Sequence, residues 1–205
     1  MKIKKIAMQL CLSSAVLAAI PTVFSAEVVP TTQHYMVKNL NIGDLPVKTI
    51  VPITAKTAEQ AIAQAQVIAS NPNADVAEFR IDLLEFSADT QKVIALGQQL
   101  NQILKEKPLI ATIRTHNEGG KMTVSDQDYE KIYSDYLKKP FMQLLDIEMF
   151  RDVGSITKLI KLAHNKNVLV IMSNHDFAKT PEQQDIENRL LKQDQMGADI
   201  LKIAV

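Results

Sequence analysis

Six ionisable residues fall where one site could be assembled from several segments: Glu78 and Arg80 in "AEFRI", Arg114 and Glu118 in "IRTHNEGG", His175 in "MSNHDF" and Lys202 in "ILKIAV". Their types define a chemistry. A lysine at a strand end, shielded by apolar neighbours and near cations, is the kind whose pKa falls far enough for its neutral amine to attack a ketone and form a Schiff base. Histidine, which ordinarily titrates near neutrality, can take a proton from carbon and pass protons while the imine forms and hydrolyses. A carboxylate bonded to the other ring nitrogen would fix its tautomer. Arginines suit an anionic or hydroxyl-rich small molecule.

Each residue also has a plainer reading. Glu78 and Arg80 could be an internal ion pair and Arg114 a surface charge. Glu118 could be a solvated acid in the glycine turn "NEGG", His175 a structural histidine in a polar loop and Lys202 a charge near a terminus. What favours the site is convergence, because successive segments end with these groups. No metal is expected: the chain has no HExxH, no cysteine cluster and no paired histidine spacing.

The segments that must position these groups are visible as short β-branched runs at 48–53, 75–81, 109–114, 144–150, 168–173 and 199–205. Helical stretches at 57–70, 89–105, 125–138, 152–166 and 181–196 separate them. Thr57, Ser125, Asp152 and Thr180-Pro181 are start signals, and Gly197 is a stop. A β-α unit repeated about every 25–35 residues predicts a parallel sheet with helical crossovers, either a (β/α)8 barrel or an open doubly wound sheet. The missing G-x-G-x-x-G after the first strand counts against a dinucleotide fold. Side chains alternate along a strand, so Glu78 and Arg80 share a face opposite Phe79 and Ile81, and Asp146 and Glu148 repeat that spacing. Charges on one face of otherwise apolar strands point to the inside top of a barrel.

Composition narrows the partners. With 23 basic and 23 acidic residues the chain offers no field to attract nucleic acid or an anionic membrane. The first 26 residues, "MKIKK" followed by a mostly apolar run and the small pair Ser25-Ala26, have the plan of a secretory signal peptide too short and interrupted to span a bilayer. The expectation is export to the periplasm or medium, or a cytoplasmic protein if that segment is no working signal. Residues 27–205 would form one domain without Cys11, the single cysteine, and so without disulfides.

The stretches "AEFRIDLLE", "IRTHNEGGK", "LLDIEMF", "VIMSNHDFAKTP" and "MGADILKIAV" resemble type I 3-dehydroquinate dehydratases, in order and at family spacing, over roughly Val37–Val205. The resemblance implies a (β/α)8 barrel that dehydrates 3-dehydroquinate to 3-dehydroshikimate with no metal or organic cofactor. It makes Lys202 the Schiff-base lysine, His175 the general base and Glu118 the acid orienting it. Glu78, Arg80 and Arg114 would line the substrate pocket. Relatives are usually dimeric, which makes a homodimer possible. A (β/α)8 barrel typically takes about 250 residues, so the expectation is an incomplete barrel with about six of eight β-α units, poorly folded or inactive alone. The family's arginine for the substrate carboxylate and its late Ser/Gln loop have no counterpart, and Pro52 stands where some members have serine. Export favours quinate catabolism over aromatic amino-acid biosynthesis. The competing readings are a non-catalytic remnant or binding protein of the same fold and, more weakly, a class I aldolase.

Overall fold

The structure is a computed structural model and describes residues 33–205. The candidate signal segment, 1–26, lies outside the described residues. A short antiparallel hairpin comes first, β1 (Tyr35–Val37) and β2 (Leu40–Ile42). Lys38 takes a left-handed conformation at its turn. Six parallel strands follow, each but the last leading into a helix. They are β3 (Ile50–Ile53), α1 (Ala58–Ser70), β4 (Val76–Arg80), α2 (Thr90–Leu104), β5 (Leu109–Thr112), α3 (Asp126–Lys138), β6 (Leu144–Glu148), α4 (Val153–His164), β7 (Leu169–His175), α5 (Gln183–Gln195) and β8 (Ile200–Ala204). Strand order in the sheet follows chain order from β3 to β8. A doubly wound sheet reverses direction at a switch point; this one does not. It is a six-stranded parallel half-barrel.

The pleat sorts the side chains into two layers. Ala77, Phe79, Ile113, Leu145, Ile147, Val170 and Met172 point outward and are buried under the helices in the main core. Val76, Ile110, Leu144 and Ile171 point inward, where Val37, Leu40 and Ile42 of the hairpin pack against them and close the bottom of the half-barrel. The β-branched runs that announce the other strands begin only at residue 48, so this hairpin is additional to them. Two three-residue strands carry too little alternation to register, and their role depends on a floor built by distant strands.

Local signals set most helix starts. The side chains of Thr57, Asp89, Ser125 and Asp152 each accept a hydrogen bond from the backbone three residues on. The start of α5 is a correction. Its cap position is Glu182, with no side-chain cap bond, rather than Thr180-Pro181. The residue before a proline is disfavoured in the helical region, which keeps Thr180 ahead of the helix. At the other end Gly197, at φ +91°, takes the left-handed conformation that stops α5.

The sheet-to-helix packing contains two diagnostic contacts. Gly97 lies inside α2 directly under the ring of Phe141, where a β-carbon would come within 2.3 Å of the ring. That ring is fully buried and has edge contacts with Phe79 and Tyr136, so it has nowhere to go. The β5–β6 pairing stops at Thr112 and Asp146, and Tyr133 of α3 takes over there. Its hydroxyl accepts from the Ile113 amide at 2.8 Å and donates to the Asp146 carbonyl at 2.7 Å.

Two substitutions follow from this packing. Gly97→Ala, which in an exposed helix would gain about 1 kcal/mol, is expected to destabilise by about 1–3 kcal/mol through overpacking. Tyr133→Phe is expected to cost about 1–3 kcal/mol because it leaves a buried amide without a partner. Urea denaturation followed by circular dichroism reads both; a stabilised Gly97→Ala protein would show that the ring can yield.

Candidate active site

Directly above the apolar floor the inward positions become polar. Glu78 of β4, Thr112 of β5, Asp146 of β6, Ser173 of β7 and Lys202 of β8 form the next level, tied by neighbour contacts. Thr112 donates to Glu78 at 2.9 Å and Ser173 to Asp146 at 2.7 Å, and the Lys202 amine lies 3.6 Å from Asp146. Glu78, Asp146 and Lys202 line a cavity of about 450 Å³ on the concave side of the sheet, over Val76, Ile110, Leu144 and Ile171. Lys202 is fixed through its backbone. The buried amide of Gln193, from α5, accepts from the Lys202 N–H and donates to its carbonyl, both at 3.1 Å.

One step higher stands His175. Ser173 pairs with Lys202 across β7 and β8, and His175 is two residues further on the same face. That places it diagonally above the lysine, about 7 Å along the strand. Its Nδ1 meets Glu118 Oε2 at 2.9 Å. An ionised carboxylate only accepts, so the proton sits on Nδ1 and Nε2 keeps a free lone pair. Phe177 stacks on the imidazole with an interplanar angle of 15°. Glu118 ends a 3-10 turn, His116–Glu118, closed by Gly119 in the left-handed conformation. Gly120 runs against the Arg114 carbonyl at a distance no β-carbon would tolerate. The two glycines of "NEGG" therefore aim the carboxylate.

Arg114, read as a substrate ligand, is brought into this constellation but directed inward. It is 4% exposed. One terminal nitrogen donates to Glu118 at 3.3 Å, Glu148 at 3.1 Å and Ser173 at 2.9 Å, and the other donates to Asp146 at 2.7 Å. Glu148 in turn accepts from the amide and hydroxyl of Thr115. Arg80 makes a two-pronged pair with Asp82 at 2.8 and 2.9 Å, and Asp82 also receives the backbone amides of Arg114 and Lys121. Arg80 keeps about a quarter of its side chain exposed.

The charges follow from these contacts. Burial opposes the charge on Arg114, but Asp146 and Glu148 more than offset it and hold its pKa above the ordinary arginine value. For Asp146 burial pushes upward, while Arg114, Lys202 and the Ser173 hydrogen bond bring the carboxyl below the usual range. Glu148 goes the other way, because burial and its neighbour Glu118 outweigh Thr115 and Arg114. The sequence places Lys202 near cations; the structure adds that the group paired with it is an anion, Asp146, which Arg114 shares. Five contributors carry no assigned role in the sequence. Asp146 and Glu148 stand there only as an i, i+2 pair. Asp82 stands two residues after Arg80. Ser173 and Gln193 are neutral residues for which spacing offers no signal.

A partly buried lysine beside a carboxylate, with a carboxylate-anchored histidine diagonally above it at the C-terminal ends of parallel strands, is equipped for imine chemistry on a small carbonyl compound. The family model described as type I 3-dehydroquinase matches residues 49–205. The chain is 74% identical, over 191 residues, to the catabolic 3-dehydroquinate dehydratase of Acinetobacter baylyi, covering 92% of this chain and 70% of the relative. It is 41% identical to the 3-dehydroquinate dehydratase of Enterococcus faecalis over 83% of this chain and 67% of that protein. The fold superposes on the solved structure of the Enterococcus faecalis enzyme with a TM-score of 0.80 at 40% identity, covering 82% and 70% of the two chains. It superposes on the type I enzyme of Clostridium difficile, solved with covalently modified comenic acid, with a TM-score of 0.81 at 32% identity, covering 84% and 68%. With the family model matching residues 49–205 and relatives matched over most of the chain, the chain belongs to the type I 3-dehydroquinase family.

Proposed function

We propose that this protein removes water from 3-dehydroquinate to give 3-dehydroshikimate, through a Schiff base on Lys202 with His175 as the proton-transfer group. The observation that carries this reading is the Glu118–His175 pair, which leaves Nε2 free diagonally above the lysine on the adjacent strand. The neutral Lys202 amine adds to the C3 carbonyl, and the carbinolamine loses its oxygen as water. In the resulting iminium the C2 proton is acidic, because the electron pair released from the C–H bond moves into the C2–C3 bond while the C=N pair moves to nitrogen. His175 accepts that proton at Nε2. The imidazolium then returns it to the C1 hydroxyl, which leaves as water as the enamine collapses back to an iminium. Hydrolysis of the conjugated iminium releases product and the free amine.

The remaining residues take supporting roles. Glu78, facing the cavity, accepts from substrate hydroxyls, and the partly exposed Arg80 donates to them. Arg114 acts from behind, holding Glu118 and Asp146 at their stations. An exported, catabolic protein is the setting we favour. It rests on the basic-then-apolar character of residues 1–26 and on the kinship with a relative named as catabolic.

Borohydride reduction in the presence of 3-dehydroquinate, followed by peptide mass spectrometry, is expected to place the adduct on Lys202. Lys202→Ala should abolish it. His175→Ala should still form it, slowly, while turnover falls about 10²–10⁴-fold, the usual contribution of a positioned acid-base group. A wild-type chain that gives no adduct would favour the non-catalytic remnant instead.

A further inference from the structure

Among the described residues, Asp146 is the buried acid of the site that has one carboxylate oxygen without a hydrogen-bond partner. Its Oδ1 accepts from Arg114 and from Ser173, both at 2.7 Å. Its Oδ2 is buried with no hydrogen-bond partner, although the residue is only 1% exposed. The Lys202 amine lies 3.6 Å from it. That spacing is an ion-pair distance and too long for a hydrogen bond. A polar atom buried without a partner is costly, and such exceptions concentrate where function requires them.

Resting on the Schiff-base reading above, we infer that Asp146 is the counterion of the protonated imine on Lys202, with Oδ2 reserved for its N–H. The bonding supports this. The free ammonium carries three N–H donors. One proton leaves to free the amine for addition to the ketone and is returned as water departs, so the iminium carries one N–H and the same positive charge. One acceptor is then sufficient, and it must be an anion inside the protein. Proton removal from C2 makes the nitrogen a neutral enamine N–H, so a counterion that held the charge too tightly would oppose that step. Asp146 avoids this because Oδ1 is already shared with Arg114. The geometry leaves it strong enough to favour protonation of the imine and weak enough to let the charge go.

The other ionisable groups facing Lys202 do not duplicate the role. Glu78, across the cavity on β4, has one oxygen engaged by Thr112. Glu118 is committed to His175 and Arg114 on the far side of the arginine, and Glu148 to Thr115 and Arg114. Asp44 and Lys48 line the cavity from the segment between β2 and β3. A purely structural Asp146, serving only to pair with Arg114, would have no effect on the protonation of an imine.

The test uses the full chain with 3-dehydroquinate and two reductants between about pH 6 and pH 9, where a histidine-assisted reaction is measurable. Cyanoborohydride reduces protonated imines, whereas borohydride reduces imines in either form. The ratio of the two adduct yields, read by intact mass, therefore reports protonation independently of how much imine forms. In Asp146→Asn the pH at which this ratio falls is expected to move down by about one to three units, the range an adjacent opposite charge exerts. Ser173→Ala, which removes one hydrogen bond from Asp146 Oδ1 and so leaves more of the carboxylate charge to face the nitrogen, should move it up by a smaller amount and decides the question if the asparagine variant fails to fold. A wild-type adduct with the ratio unmoved in the folded variants overturns the counterion role and leaves the Schiff base standing. The absence of any wild-type adduct overturns both.

Discussion

Three carboxylates come within reach of one guanidinium, and the site depends on that arrangement. Asp146, Glu148 and Glu118 are each almost wholly buried and each bonded to Arg114. Without the arginine, three negative charges would lie within a few ångströms of one another in a low-dielectric interior, and breaking even one buried ion pair typically costs about 3–5 kcal/mol. The acids also connect outward. Glu118 anchors His175, Asp146 faces Lys202, and Glu148 takes the backbone and hydroxyl of Thr115, where the chain turns toward Glu118. The arginine therefore sets the relation between the base and the amine without needing to touch substrate.

Such a cluster stays in register because the backbone around it has little freedom. Parallel pairing from β3 to β8 fixes the height of each inward residue relative to its neighbour. Where the β5–β6 ladder ends, tyrosines of α3 continue it. Tyr133 bridges Ile113 and Asp146, and the Tyr129 hydroxyl accepts from the Glu148 amide at 3.3 Å. Both rings are fully buried and meet edge-on at 4.7 Å. The tyrosines thus hold the main chain on which two of the three acids are carried. Gln193 does the same for Lys202 from the other side.

Alternation and helix signals made the architecture legible, since apolar runs, caps and the repeat length are local properties of the chain. The faces were legible too: Glu78 opposite Phe79 follows from a period of two. The partner of each charge was not. Arg114 reads as a ligand for an anion because arginines so often are, and only the fold reveals that three acids arrive from a loop and a neighbouring strand to occupy it. Lys202 reads as an amine among apolar residues and cations because Asp146 is more than fifty residues away in sequence. The hairpin at Tyr35–Ile42 escaped for a related reason, as its few apolar residues acquire meaning only against the floor of Val76, Ile110, Leu144 and Ile171.

Asp146 and Glu148 sit two residues apart on the same strand face and share the same arginine, yet their proton affinities move in opposite directions. Burial raises both, so the difference lies in the next neighbour. Asp146 has a second cation in Lys202 and the Ser173 hydroxyl, whereas Glu148 has a second anion in Glu118. The local field therefore changes character across a single step of the strand. On the lysine side, one carboxylate lies between Lys202 and the shared arginine, a setting that suits a charge passing between ammonium, iminium and enamine. On the histidine side, two carboxylates share one arginine, and the surplus negative charge faces the imidazole. In the proposed reaction the imidazole that takes the proton from carbon would face these carboxylates. The division of labour between amine and imidazole is in this sense already present in the arrangement of acids around Arg114.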